Sequence, residues 1–167
     1  MRRGNAGETD LEQSYFDLAL TLPGLGFRFT EQFLAALAPM AATVIVHAQG
    51  MGLVNRVFRR FARPRGARSQ GPSVILVTAI VAIMLATHFV ELIVWAAFFL
   101  LAGLLSNPEL AMQVSMNSYS TLGGSAFALE ERWRGLAGFE AMTAMLMFGW
   151  STAVLAAVVL RASDIGG

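Results

Sequence analysis

Apolar residues fall in long blocks along this chain instead of alternating with polar ones, and the blocks predict its architecture. Two are plain: "PSVILVTAIVAIMLATHFVELIVWAAFFLLAGLL" over 72–105 and "LAGFEAMTAMLMFGWSTAVLAAVVLR" over 136–161. A helix of about 20 apolar residues crosses a bilayer core, so each block predicts a transmembrane helix, the first with length to spare for tilt. A third block lies in 33–55, "FLAALAPMAATVIVHAQGMGLV", and is interrupted by Pro39, His47 and Gln49. It reads either as a first crossing, since a membrane helix tolerates proline where neighbours satisfy the freed carbonyl, or as a re-entrant or interfacial helix. Residues 1–32 include the aromatic stretch "SYFDLALTLPGLGFRF", broken by Pro23 and Gly24, which predicts a short interfacial segment.

The polar intervals carry as much information as the apolar blocks. Residues 56–71 hold six arginines (Arg56, Arg59, Arg60, Arg63, Arg65, Arg68) within 13 residues. Short basic loops between spans stay on the cytoplasmic side, which explains the run more simply than nucleic-acid binding does. That orientation puts the N-terminus and residues 106–135 outside and the tail after Arg161 inside. The outer interval is about 30 residues, long for a connection between neighbouring helices. It opens with a helix-start signature: Ser106 or Asn107 as cap, Pro108 at the first helical position and Glu109 in the first turn. About a dozen helical residues give roughly 18 Å, about half a bilayer. A chain that enters half way returns through non-helical backbone, allowed only where protein or a watery cavity shields it. "TLGGSAF", within 121–127, is the expected returning segment, and its glycines suit unusual backbone angles.

Composition agrees with lipid. Hydrophobic residues make up 56% of the 167 and charged residues 14%, against about a quarter charged in soluble domains. Every basic residue is arginine, and the absence of cysteine excludes disulfides and thiolate metal sites. The N-terminal residues lack the apolar core of a cleavable signal peptide. No nucleophile–base pair or carboxylate pattern appears, and "GLG" at 24–26 lacks the spacing of a nucleotide loop. No enzyme and no catalytic residue is expected. The fold class predicted is an all-α membrane protein of three transmembrane helices, with a short helix and re-entrant loop between the last two.

Helix, half-helix, glycine-bearing loop, helix is also the order of the potassium-channel pore domain, and particular residues carry the likeness. "MNSYSTLGGSAF" resembles the bacterial two-helix channel pattern ending Thr-Thr-Leu-Gly-Tyr-Gly-Asp. "RWRGLAGFEAMTAMLMFGWSTAVLAAVV" resembles the inner-helix segment of a bacterial branch of these channels, including its Phe-Gly-Trp-Ser-Thr-Ala stretch, and "HFVELIVWAAFFLLAG" resembles its outer helix. The resemblance covers 72–161 and implies an outer helix over 72–105, a pore helix and filter-like loop over 107–127 and an inner helix over 136–161. It further implies a homotetramer in the bacterial inner membrane that passes potassium or another monovalent cation, with no cofactor and no nucleic-acid partner. In such pores, loop carbonyls from four subunits replace the ion's hydration shell. Thr121, Leu122 and Gly123 match the inner filter. Gly124 stands at the tyrosine position, Ser125 at the second glycine and Ala126 at the aspartate, so the outer filter is altered. A non-glycine residue with positive φ costs roughly 1–2 kcal/mol, so Ser125 argues against strong potassium selectivity. The alternative is a non-conducting, channel-derived subunit that assembles with an intact channel.

Several single residues stand out. His88 and Glu91 lie one helical turn apart within the second span, where ionisable groups are functional candidates by default. They read either as a hydrogen bond fastening that helix to its neighbours or as a proton- or metal-sensitive site with His47 as third member. Two histidines and no cysteine are few ligands, and no metal is expected. Glu140 is expected to pair with Arg132 or Arg134 at the membrane interface, the alternative being a carboxylate that braces the re-entrant loop. Gly149 is a candidate gating hinge or a point of close helix contact. Trp95 and Trp133 are candidate interface or packing aromatics.

Overall fold

A computed structural model describes residues 6–61 and 74–164, with side chains described over 28–61 and 74–161. The remainder of the arginine-rich interval, with Arg63, Arg65 and Arg68, lies outside the described residues. Four α-helices follow in order: α1 (Ala6–Phe61), α2 (Val74–Leu101), α3 (Pro108–Tyr119) and α4 (Gly135–Asp164). Two short 3-10 turns, Ser125–Ala128 and Glu131–Trp133, link α3 to α4. Segments within α1 (Arg28–Phe61), the whole of α2, and Glu131–Arg161 are each long and apolar enough to cross a membrane.

The break expected at Pro23 and Gly24 is not there, because α1 runs through both and on through Pro39. Proline removes a single amide, and the helix is held on either side of it by the surrounding turns. Near Pro39, the Thr43 hydroxyl donates to the Pro39 carbonyl at 2.8 Å.

The end of α2 is explicit in the sequence. Gly103 takes a left-handed φ of 68°. Its amide donates to Leu100 O at 3.0 Å, and the Leu104 amide to Phe99 O at 2.9 Å. That is a Schellman stop, which a β-carbon at Gly103 would strain. The start of α3 is equally legible. Asn107 is the cap, its Oδ1 accepting from the Glu109 amide at 2.8 Å and the Leu110 amide at 3.2 Å, and Pro108 opens the helix.

α1 packs on α2 and α4, and α3 sits between α2 and α4. Two apolar clusters hold the bundle. One joins Ala36, Trp95, Phe99, Val114, Leu136 and Phe139. The other joins Met51, Val54, Phe58, Ile80, Met84 and Val158. Large apolar side chains such as Leu34, Leu85 and Leu146 point outward, as lipid-facing positions do. The ends also sort. Asn55 and Arg59 of α1 share a cleft with Val158 and Arg161 of α4, while Gln32 donates to the Arg132 carbonyl at the opposite end. The arginine-bearing end of α1 and the last turn of α4 therefore lie on one side.

Candidate functional site

Between the two apolar clusters lies a polar layer to which every helix contributes. α1 supplies His47, α2 supplies His88 and Glu91, α3 supplies Tyr119 and α4 supplies Ser151. His47 and Glu91 are fully buried, and the His88 side chain is 14% exposed. His47 Nδ1 lies 2.8 Å from Glu91 Oε1, and His88 Nδ1 lies 3.2 Å from Glu91 Oε2. The Tyr119 hydroxyl donates to the same Oε2, and its oxygen is 2.9 Å from His88 Nδ1. On the far side of both rings, Ser151 Oγ is 3.0 Å from His88 Nε2 and 3.5 Å from His47 Nε2. A carboxylate taken from water costs several kcal/mol unless its lone pairs are met. Here Glu91 is met by three groups from three helices.

The Phe-Gly-Trp-Ser stretch of α4 closes this layer. Phe148 packs on the His88 ring at 4.8 Å between centroids and edge-on to Tyr119 at 5.4 Å. Trp150 lies 5.1 Å from the His47 ring. Gly149, between them, faces outward, and a β-carbon there would meet nothing within 4 Å. It makes no close helix contact among the described residues. Gly50 does: a β-carbon on it would lie 2.2 Å from Thr87 Oγ1, so α1 and α2 approach here only because the side chain is absent.

The i, i+3 spacing had paired His88 with Glu91, and the structure brings His47 to them as the third member. Tyr119 and Ser151 were missed as members of the layer. Tyr119 falls in the last turn of a helix whose tilt no periodicity reveals. Ser151 is a small hydroxyl in an apolar block, although it lies inside the stretch that carries the resemblance.

Glu140 corrects an expectation. It makes no ion pair with Arg132 or Arg134 among the described residues. It is fully buried, and Oε1 accepts from Ser115 of α3 at the short distance of 2.5 Å. The same hydroxyl lies 2.9 Å from Leu92 O. The reason is helical phase: Leu136, Phe139, Glu140 and Thr143 lie on the buried face of α4. Arg132 instead meets Glu130 at 3.6 Å in the open and stacks on Trp133. Trp95 is fully buried, a packing residue rather than an interface one.

The filter-like residues follow α3 directly. The Thr121 amide donates to Ser118 O at 3.0 Å and the Gly123 amide to Asn117 O at 3.1 Å, so the chain curls back onto the helix end. Positive φ at Thr121 (61°), Gly123 (68°) and Gly124 (84°) makes this possible. The return expected through non-helical backbone is instead, from Ser125, a 3-10 turn. Ser125 Oγ lies 3.5 Å from Val114 O, a weak contact. Thr121 to Gly124 are exposed, Leu122 by 79%. Among the described residues no hydrogen bond reaches the carbonyls of Thr121, Leu122 or Gly123.

Comparison with protein-family models, with curated proteins and with solved structures finds no match to this chain.

Proposed function

We propose that this chain is a potassium-channel-like subunit of the bacterial inner membrane, four copies of which form a passive pathway for monovalent cations with weak selectivity. The observation that carries the reading is the run of three consecutive carbonyls, Thr121 to Gly123, that accept no hydrogen bond among the described residues, at the end of a helix half a bilayer long. Lipid does not tolerate such groups; a watery path or an ion does. The C-terminal end of α3 adds partial negative charge at the same place, which favours cations. Gly149 of α4 is the candidate hinge. The arginine-bearing end of α1 and the end of α4 face the cytoplasm, and the α3 end of the bundle faces outward.

A second reading has an observation of its own. Ser125–Ala128 forms a 3-10 turn where a working outer filter needs extended backbone, which favours a non-conducting subunit assembled with an intact channel. The reversal potential under potassium–sodium gradients separates the two. The native chain is expected to discriminate poorly. Gly124→Tyr, Ser125→Gly and Ala126→Asp, made jointly because neighbouring filter residues are not additive, are expected to raise potassium selectivity. Silence of both proteins as intact tetramers would favour the second reading.

A further inference from the structure

The buried polar layer does not close on hydrogen bonds alone. Glu91, as a carboxylate, only accepts, and Tyr119 donates to it. His47 Nδ1 faces Glu91, and His88 Nδ1 faces Glu91 and the Tyr119 oxygen, all acceptors, so both Nδ1 atoms carry protons. The two Nε2 atoms then both face Ser151 Oγ. With neutral rings, both Nε2 atoms are acceptors and the one serine proton serves only one of them. One ring nitrogen is left over, and a net negative charge sits between two apolar clusters. Such a charge inside a membrane is costly.

We infer that His47, His88, Glu91 and Tyr119 form a site for a divalent transition-metal ion of the zinc type. Donor atoms of His47, His88 and Glu91 lie within 4.8 Å of one another. Two ligands about 2.0–2.1 Å from one zinc in a tetrahedron stand about 3.4 Å apart, so the widest pair must close by about 1.4 Å, roughly 0.7 Å from each side chain. With the ion on both Nδ1 atoms, each ring carries its proton on Nε2 and donates it to Ser151 Oγ, whose two lone pairs accept both. Tyr119 becomes the fourth ligand as a phenolate, and its proton leaves to solvent. Ion, carboxylate and phenolate sum to zero charge, the state that a low dielectric favours. Two imidazoles and two oxygens in a tetrahedron suit zinc and, as a visible probe, cobalt. The ion would join α1, α2 and α3 directly, and α4 through Ser151, two residues before Thr121. The inference concerns binding and holds whether or not the chain conducts.

The test uses the purified full chain in detergent, stripped with chelator and titrated with cobalt(II). One equivalent per chain is expected, with the intense visible bands of tetrahedral cobalt, release of protons, a change in Trp150 emission, and displacement by zinc. His88→Ala and Glu91→Gln are expected to abolish the bands, with helical content followed by circular dichroism. Ser151→Ala spares the ligands and is expected to weaken binding about 10–100-fold with the band shape kept. A folded native chain without tetrahedral bands overturns the inference and leaves a proton as the balancing charge. Bands that survive His88→Ala, or an affinity indifferent to Ser151→Ala, overturn it as well.

Discussion

Replacing Glu91 by alanine removes the acceptor shared by three groups from three different elements. His47 Nδ1, His88 Nδ1 and the Tyr119 hydroxyl all lose the carboxylate they face. Side-chain hydrogen bonds inside membrane bundles average about 0.6 kcal/mol each and reach about 1.7. Three of them predict a loss of about 2–5 kcal/mol for Glu91→Ala. Relief of charge burial acts in the other direction, which places the expected loss in the lower half of that range. Glu91→Gln keeps one acceptor oxygen and the side-chain shape, and is expected to lose about half as much. The assay is reversible unfolding in mixed micelles of mild detergent and dodecyl sulfate, followed by helical circular dichroism. A double-mutant cycle with His47→Ala isolates the contact between α1 and α2, with an expected coupling of about 0.5–2 kcal/mol. A Glu91→Ala protein within about 0.5 kcal/mol of native, or zero coupling to His47, would refute the view that this layer fastens the four helices.

Other expectations follow from single contacts. Gly50→Ala drives a methyl group into Thr87, a β-branched side chain with little freedom, and is expected to cost about 1–3 kcal/mol in the same assay; a neutral result would mean α1 and α2 do not meet at this register. Ser115→Ala leaves buried Glu140 without its hydroxyl donor, and a loss of about 1–3 kcal/mol is expected. Adding Glu140→Leu to Ser115→Ala should recover part of that loss, because removing both partners costs less than removing one; further destabilisation contradicts it. Reporter fusions after Gly66 and after Glu131 are expected to report cytoplasmic and outer positions respectively, and a cytoplasmic Glu131 would reverse the proposed topology.

The spans were legible because about 20 consecutive apolar residues have few uses outside a bilayer. The start of α3 was legible because Asn107, Pro108 and Glu109 each satisfy a different requirement of a helix N-terminus. Two features misled. Pro23 and Gly24 read as a break, yet α1 passes through them, since local propensity is a weak constraint on a long helix. Glu140 read as an interfacial partner of nearby arginines, but the rotation of α4 turns it onto Ser115. The polar layer was half legible. Spacing on one helix joined His88 to Glu91, whereas His47, Tyr119 and Ser151 meet them only through packing between helices, which carries no local period. The shape of the Thr121–Gly124 turn was hidden for a similar reason, since it depends on amides folding back onto the last turn of α3.

Rubidium uptake into potassium-loaded liposomes tests the central claim most directly, and the lack of any native cysteine sharpens it. Leu122 is exposed and sits amid carbonyls that accept no hydrogen bond among the described residues, so Leu122→Cys offers a single thiol at the proposed pathway. The account predicts uptake above that of empty liposomes for both the native and the Leu122→Cys protein, with uptake by the variant alone lost on adding a charged, membrane-impermeant thiol reagent. No uptake by folded tetramers, or uptake by Leu122→Cys that survives complete modification of its thiol, would contradict it.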